Sequence, residues 1–207
     1  MRRIGWLGVI GLVLGSGAVS VPAAAATAPG MDPDLRACVA AALGISEAAF
    51  DPSNPAVAGL TTLDCGFRGI ASLDGIGLLT GLKDLDLTYN AVADPAPLTA
   101  LPGLERLSLW ENPVGDFSWL PSMTGLVDLD LTHTGLVDLT PVAGLTGLER
   151  LAIGDTSLLS IDHLDGASAA VTPRGGGSEN QITDLTPLAG LTRLARLDLT
   201  MLDGIGL

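Results

Sequence analysis

The sequence predicts an α/β solenoid in which short parallel strands form a single sheet behind an N-terminal helical cap. Three observations support this fold class. They are a 22-residue period, an apolar/polar alternation at the start of each period, and a helix-type segment before the first period. Hydrophobic residues make up 47% of the 207 residues but aromatic residues only 3%. The sequence therefore predicts a core of stacked aliphatic side chains.

Leucines separated by 22 positions mark the start of each predicted repeat unit. The positions are Leu60, Leu82, Leu104, Leu126 and Leu148. The predicted units are 60–81, 82–103, 104–125, 126–147 and 148–169, followed by a degenerate unit at 170–193 and a partial one at 194–207. A single unit is too small to bury its own leucines, so neighbouring units must stack to form a continuous core.

Each unit begins with an L-x-x-L-x-L pattern, as in Leu82, Leu85 and Leu87. Its period of two predicts a short strand with leucines on one face. Asn90 follows at the bend, where an amide can satisfy backbone groups that the bend leaves unpaired, whereas Thr134 at the same position does so less fully. The later apolar residues lie three apart, which favours a 3₁₀ or extended return segment.

Three segments carry a resemblance to a known superfamily: "LKDLDLTYNAVADPAPLTALPG", "LVDLDLTHTGLVDLTPVAGLTG" and "NQITDLTPLAGLTRLARLDL". They resemble leucine-rich repeats, and most closely the short 22-residue class found in internalins and related secreted bacterial proteins. The resemblance covers about residues 32–207. It implies a horseshoe with the sheet on its concave face, 3₁₀ or extended segments on its convex face and a helical cap. It does not identify a ligand.

The two ends of the chain carry different signals. Met1-Arg2-Arg3, an apolar stretch and Ala24-x-Ala26 are typical of a secretory signal peptide at 1–26, so we expect an exported, secreted or cell-surface protein without membrane insertion after cleavage. Residues 27–59 form the predicted cap and connector, with a helix over 32–44. The last unit stops at Leu207 without a polar cap, which predicts that further chain or self-association covers this end.

Cys38 lies on the inward face of the predicted helix, and Cys65 replaces an inward leucine of the first strand. In an exported protein they can form a disulfide that ties the cap to the repeats, or remain two buried free thiols. The sequence leaves both states open.

Two regions depart from the repeat pattern. Gly175 and Gly177 replace the strand leucines of the sixth unit, which predicts a weak strand or a loop there. In the third unit, we expect Phe117 in the core and Trp119 exposed on the convex side.

The outward side chains of the strands form the predicted concave face and supply the candidate contact residues. Trp110 is the leading candidate, because exposed tryptophan is typical of binding hot spots, although its ring can instead lie over neighbouring side chains. The outward residues before and after the central leucine of each strand form a first and a second column along the sheet. In the first column, Asp84, Arg106, Asp128 and Arg150 alternate in sign, so they form either a solvated salt-bridge ladder or a polar recognition surface. The candidate partner-binding residues are Trp110, Arg106, Asp84, Asp86, Asp128, Asp130, Arg150, Tyr89 and His133.

Composition limits the function. A net charge of −13 argues against nucleic-acid binding, which needs a surplus of Lys and Arg. The sequence has no catalytic motif and no pattern of metal ligands, so we predict no catalytic residues, no metal and no cofactor. The predicted function is binding of a protein or glycan at the concave face. The alternative is a structural spacer, or the N-terminal repeat module of a longer surface protein or enzyme.

Overall fold

The computed structural model describes residues 30–154 and 184–199, together with the backbone of three two-residue strands at 157–158, 170–171 and 180–181. The predicted signal peptide and the chain after Leu199 lie outside the described residues. None of the helices in the described part of the chain is long and apolar enough to cross a membrane.

Seven parallel strands form the main sheet. In chain order they are β1 Thr62–Asp64, β2 Asp84–Asp86, β3 Arg106–Ser108, β4 Asp128–Asp130, β5 Arg150–Ala152, β7 Ala170–Val171 and β9 Arg196–Asp198. Their order across the sheet is β1-β2-β3-β4-β5-β9-β7. Two further strands, β6 Ser157–Leu158 and β8 Asn180–Gln181, pair only with each other. The architecture confirms the predicted solenoid.

The register of the sheet follows the 22-residue period. Leu63 pairs with Leu85, Leu85 with Leu107, and Leu107 with Leu129, so the middle residue of each strand stacks on its equivalent in the next coil. These leucines are at most 3% exposed, while the residues on either side of them face solvent. Truncating one such leucine to alanine costs about 2–5 kcal/mol, because it leaves a cavity between coils.

Polar side chains close the bends after β2, β3 and β4, and we call them the polar belts; they are Asn90, Asn112 and Thr134. The Asn112 amide donates to three backbone oxygens, those of Leu87, Leu109 and Trp110, and its Oδ1 accepts from the Val92 N–H. Thr134 makes one such bond, from its hydroxyl to the Leu131 oxygen. The expectation that threonine satisfies the bend less fully is confirmed.

The return segments are short 3₁₀ helices, as predicted. They span Ile76–Leu78, Ala96–Ala100, Leu120–Ser122, Thr140–Val142 and Thr186–Gly190. Each buries one apolar residue, namely Ile76, Leu98, Leu120, Val142 and Leu188.

The expectation for the third return segment is wrong for its tryptophan. Trp119 is only 5% exposed and belongs to the core. Phe117, which we expected in the core, is only partly buried. The indole N–H of Trp119 donates to the backbone oxygen of Asp116 at 3.0 Å, which lets the polar edge of the ring enter the protein with its hydrogen bond satisfied.

A helical cap covers the first coil. Helix α1 (Pro33–Ala42) begins at Asp32, whose carboxylate accepts from the backbone N–H groups of Asp34 and Leu35, and it ends before Gly44, which has a φ of +67°. A one-turn helix, α2 (Pro55–Ala58), leads into β1.

The inward face of α1 is joined covalently to the first strand region. Cys38 and Cys65 form a disulfide, with Cα atoms 5.8 Å apart. Of the two states that the sequence leaves open for these cysteines, the structure contains the disulfide.

The sheet departs from one strand per unit after β5. β9 pairs directly with β5, Arg150 opposite Arg196, and β7 lies at the outer edge beyond β9. The return helix Thr186–Gly190 packs against Thr140–Val142 of the preceding coil. The sixth unit therefore contributes no strand between those of the fifth and seventh. Its Gly175 and Gly177 lie outside the described residues.

Candidate functional site: the outer face of the sheet

The outer side chains of β1 to β4 line a shallow groove of about 410 Å³. We call the solvent side of the sheet the sheet face; it corresponds to the predicted concave face. The buried leucines of β1 to β3 form the floor of the groove. Five carboxylates and one guanidinium surround it, those of Asp64, Asp84, Asp86, Asp128, Asp130 and Arg106. The groove is therefore acidic and contains most of the predicted contact residues.

The first outward column consists of paired charges. Arg106 Nη2 donates to Asp84 Oδ2 at 2.6 Å, and Arg150 donates to Asp128 Oδ2 from Nε at 2.8 Å and Nη2 at 2.6 Å. Hydrogen bonding and the charge of the paired aspartate raise the pKa of both arginines above their usual range. Both arginines are exposed, so solvent screens each pair and its contribution to stability is small. The ladder expected from the sequence thus forms as two separate ion pairs.

The second outward column has a structural use that the sequence analysis did not identify. Asp64, Asp86 and Asp130 each accept, through Oδ1, the backbone N–H of the residue two positions later, at 3.0, 2.8 and 2.9 Å. These bonds fix the chain as it leaves the strand. Within the described part of the chain, none of the three carboxylates pairs with a cation.

Asp130, in β4, is partly buried. Burial raises the pKa of its carboxyl above the usual range. The negative charges of Asp128 and Asp198 act in the same direction, against the hydrogen bonds to Thr132 that lower it. The second column is therefore a region in which negative charge is imperfectly compensated.

An aromatic shelf adjoins the groove where the strands end. We use this name for Phe67, Tyr89 and Trp110. The rings of Phe67 and Tyr89 stack with centroids 4.6 Å apart and planes inclined by 12°, and Trp110 meets Tyr89 edge-on at 5.1 Å. Phe67 is 72% exposed, whereas Trp110 is half-buried and its indole N–H is buried without an acceptor among the described residues.

The shelf residues differ from the sequence prediction in which ring is most exposed. Trp110 lies against its neighbour, which is the second of the two placements considered for it. The most exposed ring belongs to Phe67, which was not among the predicted contact residues. Its signal was present in the repeat, because Phe67 lies 22 positions before Tyr89.

Four consecutive coils place a non-glycine residue in the left-handed backbone region directly beyond the strand. These residues are Phe67, Tyr89, Glu111 and His133, with φ between 53° and 57°. A left-handed conformation costs a residue with a Cβ roughly 1–2 kcal/mol, and glycine would adopt it without that cost. The chain nevertheless carries two rings and two ionisable groups here. Strained positions of this kind cluster at functional sites.

Glu111 and His133 extend this left-handed column past the shelf. His133 Nδ1 lies 3.7 Å from Glu111 Oε1, so the two can form an ion pair when the imidazole is protonated. Among residues 30–154 and 184–199, no three His, Cys, Asp or Glu side chains are grouped closely enough to hold a metal ion.

Comparisons with known proteins agree with this geometry. No protein-family model and no curated protein matches the sequence. Among solved structures, internalin C2 from Listeria monocytogenes is similar over 80% of this chain and 63% of its own, with 32% identity and a TM-score of 0.64. A second L. monocytogenes internalin (inlF) is similar over 80% of this chain and 55% of its own, with 26% identity and a TM-score of 0.59.

The chain thus spans less than two thirds of the length of either internalin. The likeness extends over four fifths of this chain. The chain therefore has the fold of an internalin-type leucine-rich repeat protein.

Proposed function

We propose that this is an exported, non-catalytic binding protein that docks a protein partner, or a glycan, on the sheet face. The observation that carries the proposal is the aromatic shelf. The shelf places the exposed ring of Phe67 next to an acidic groove. Phe67 and Tyr89 both have a left-handed backbone conformation, in which a glycine would be less strained. Aromatic side chains dominate the energetics of binding surfaces because they bury large areas with little loss of conformational freedom.

The scaffold beneath the shelf suits rigid display. The shelf residues follow β1 to β3, which are hydrogen-bonded to one another in register and whose central leucines are buried. The seven strands of the sheet, spaced by about 4.8 Å, give a face roughly 30 Å long, enough for an interface of ordinary size. A face ordered before docking loses little entropy on binding, so a modest number of contacts suffices.

Two kinds of observation support export. The first 26 residues have the basic, apolar and small-residue order of a secretory signal peptide. The similar solved structures are internalins, and the disulfide between Cys38 and Cys65 fits an oxidising compartment. We therefore place the protein outside the cytoplasm, secreted or at a cell surface.

The test compares sheet-face variants with a matched surface variant. Phe67→Ala combined with Tyr89→Ala removes the stacked rings, and Arg106→Ala combined with Trp110→Ala removes the groove cation and the third ring. Val137→Ala is the control, since Val137 is an exposed apolar residue (55%) on another part of the coil. Each protein is immobilised and exposed to the exported and surface proteins and the surface glycans of candidate partner cells.

We expect wild type and Val137→Ala to retain the same bound species and both sheet-face variants to lose it. Thermal unfolding of every variant verifies that loss of binding is not loss of fold. Retention by the sheet-face variants of everything that wild type retains would instead favour the spacer role.

A further inference from the structure

We propose that the sheet face takes a basic protein segment, whose arginine or lysine head group lies between Asp64 and Asp86 while its aliphatic stem covers Phe67 and Tyr89. This inference rests on the proposed function and specifies the chemistry of the partner.

The charge balance of the groove favours a cationic partner. Five aspartates surround it and Arg106 is the one lining cation. Arg106 is bonded to Asp84, and Asp128 is bonded to Arg150, so the first column is neutralised from within the chain. The second column is not neutralised, because Asp64, Asp86 and Asp130 have no cationic partner in the described part of the chain. A cation supplied by a partner would give the second column the alternation of negative and positive charge that the first column already has.

The geometry places two of these carboxylates side by side. Asp64 and Asp86 are register partners of β1 and β2, so they lie about one strand spacing, roughly 4.8 Å, apart. Each uses Oδ1 to accept a backbone N–H, from Gly66 and Thr88. In each, Oδ2 has no hydrogen-bond partner among the described residues. Two acceptor oxygens facing one opening suit a guanidinium or an ammonium group, which carries several donors.

The space next to these carboxylates is kept open by a glycine. A Cβ on Gly66 would lie 3.5 Å from Asp64 Oδ1 and 3.6 Å from the Thr88 oxygen, in contact with both. Gly66, which directly precedes Phe67 in the chain, adds no side chain beside Asp64. An arginine side chain fits such a site well, since its stem packs on apolar surface and its planar head group stacks on aromatic rings.

The exposed ring and the unpaired acids are independent observations that point to the same partner. An uncharged glycan would use the rings but would leave the carboxylates uncompensated. A basic segment uses both. The carboxylates then give orientation and a fast, salt-dependent encounter, while the rings extend the lifetime of the complex.

The test uses three peptides of equal length, namely hexa-arginine, hexa-glutamate and a Gly-Ser hexamer. Binding to the full exported chain is measured by isothermal titration calorimetry at low and at physiological salt. The critical variant is Asp64→Asn with Asp86→Asn, because asparagine keeps the oxygen that accepts the backbone N–H and loses only the charge. Its charge-matched control is Asp34→Asn with Asp74→Asn, two exposed aspartates outside the groove.

We expect hexa-arginine to bind wild type, and the glutamate and Gly-Ser peptides not to bind. The groove variant should weaken hexa-arginine binding at least tenfold and the control variant less than twofold. Phe67→Ala with Tyr89→Ala should weaken it as well, while preserving its dependence on salt. Equal losses in the two charge variants would mean nonspecific attraction to an acidic protein and would overturn the proposal, as would undetectable binding to wild type.

Binding of the natural partner by the two variants distinguishes a failure of this inference from a failure of the proposed function on which it rests. If the ring variant loses the retained partner but the Asp64→Asn, Asp86→Asn variant keeps it at unchanged affinity, the sheet face is the binding surface and the cationic inference is wrong. If both keep it, the proposed function is wrong as well.

Discussion

The N-terminal and C-terminal coils contain the same leucine interior but differ in what surrounds it. The coils from β1 to β3 have a helical cap, a disulfide and two asparagine belts, at Asn90 and Asn112. The coil after β4 has only the single hydroxyl bond of Thr134. Beyond it, the sheet passes from Arg150 directly to Arg196, two like charges in register.

The sheet nevertheless continues in perfect register across both regions. Leu129, Leu151 and Leu197 are partners in register, as Leu63, Leu85 and Leu107 are. The leucines therefore set the register, whereas the belts, cap and disulfide determine how stable each region is. Four sets of substitutions test this separation.

Removal of the disulfide should have the largest effect. The crosslink closes a loop of 27 residues, for which the loss of chain entropy in the unfolded state predicts a stabilisation of about 3–4 kcal/mol. We expect Cys38→Ala combined with Cys65→Ala to lower the free energy of unfolding by about that amount in urea titrations. Reduction of the wild type with a thiol should reproduce most of the loss. A change below about 1 kcal/mol in both experiments would show that the cap is held by packing alone.

The belts should differ from each other by a measurable amount. Asn112→Ala leaves the Val92 N–H and the oxygens of Leu87, Leu109 and Trp110 without the amide, and we expect a loss of about 2–3 kcal/mol. Thr134→Ala removes one bond and should cost about 1 kcal/mol. Equal losses in parallel urea titrations would contradict the view that hydrogen bonds satisfy the backbone groups of the N-terminal bends more fully.

Most of the fold could be predicted from the sequence because the repeat depends on short-range patterns. The leucine spacing predicts the strands and their stacking, and Asn90 and Asn112 predict the polar belts, since a bend has few ways to satisfy its backbone groups. Asp32 and Gly44 predict the ends of the helix for the same reason.

The sequence was less informative wherever a feature depends on a side-chain hydrogen bond or on contacts between coils. Trp119 enters the core because a local backbone oxygen accepts its N–H, which no periodicity reveals. The left-handed conformation of Phe67 and Tyr89 is imposed by hydrogen bonds to the following coil, at 2.9 and 2.8 Å, against the preference of the residues themselves. The sequence left open whether the sixth unit forms a strand: 46 positions separate Leu148 from Leu194, while the solenoid advances by a single strand between them.

A substitution that adds hydrogen bonds to the bend after β4 should stabilise the C-terminal region. Thr134→Asn should raise the free energy of unfolding by about 0.5–1 kcal/mol, since an amide at this position can donate to more than one backbone oxygen of the bend. Asn90 provides the precedent, with bonds to the oxygens of Cys65, Leu87 and Thr88. Thr134→Val, which has the same shape but no hydroxyl, is the control and should destabilise the protein. A loss of stability in Thr134→Asn would indicate that the C-terminal coil is packed too tightly for the amide.

The smallest effect should come from the buried acid of β4, and it should depend on pH. Because burial raises the pKa of Asp130 in the folded protein, its ionised form is less favourable there than in the unfolded chain. This penalty is present above the folded pKa and disappears as the pH falls below the ordinary aspartate value of 3.8. Asp130→Asn keeps the acceptor for the Thr132 N–H, so it should be more stable than wild type at pH 7, and the advantage should vanish near pH 3.

Asp94→Asn is the control, because Asp94 also accepts a backbone N–H two residues later but is exposed on another part of the coil. If Asp130→Asn were destabilising at pH 7, the carboxylate would have to contribute a favourable interaction that outweighs its burial, and the second column would then be a stabilising element of the sheet in addition to a surface for a cationic partner.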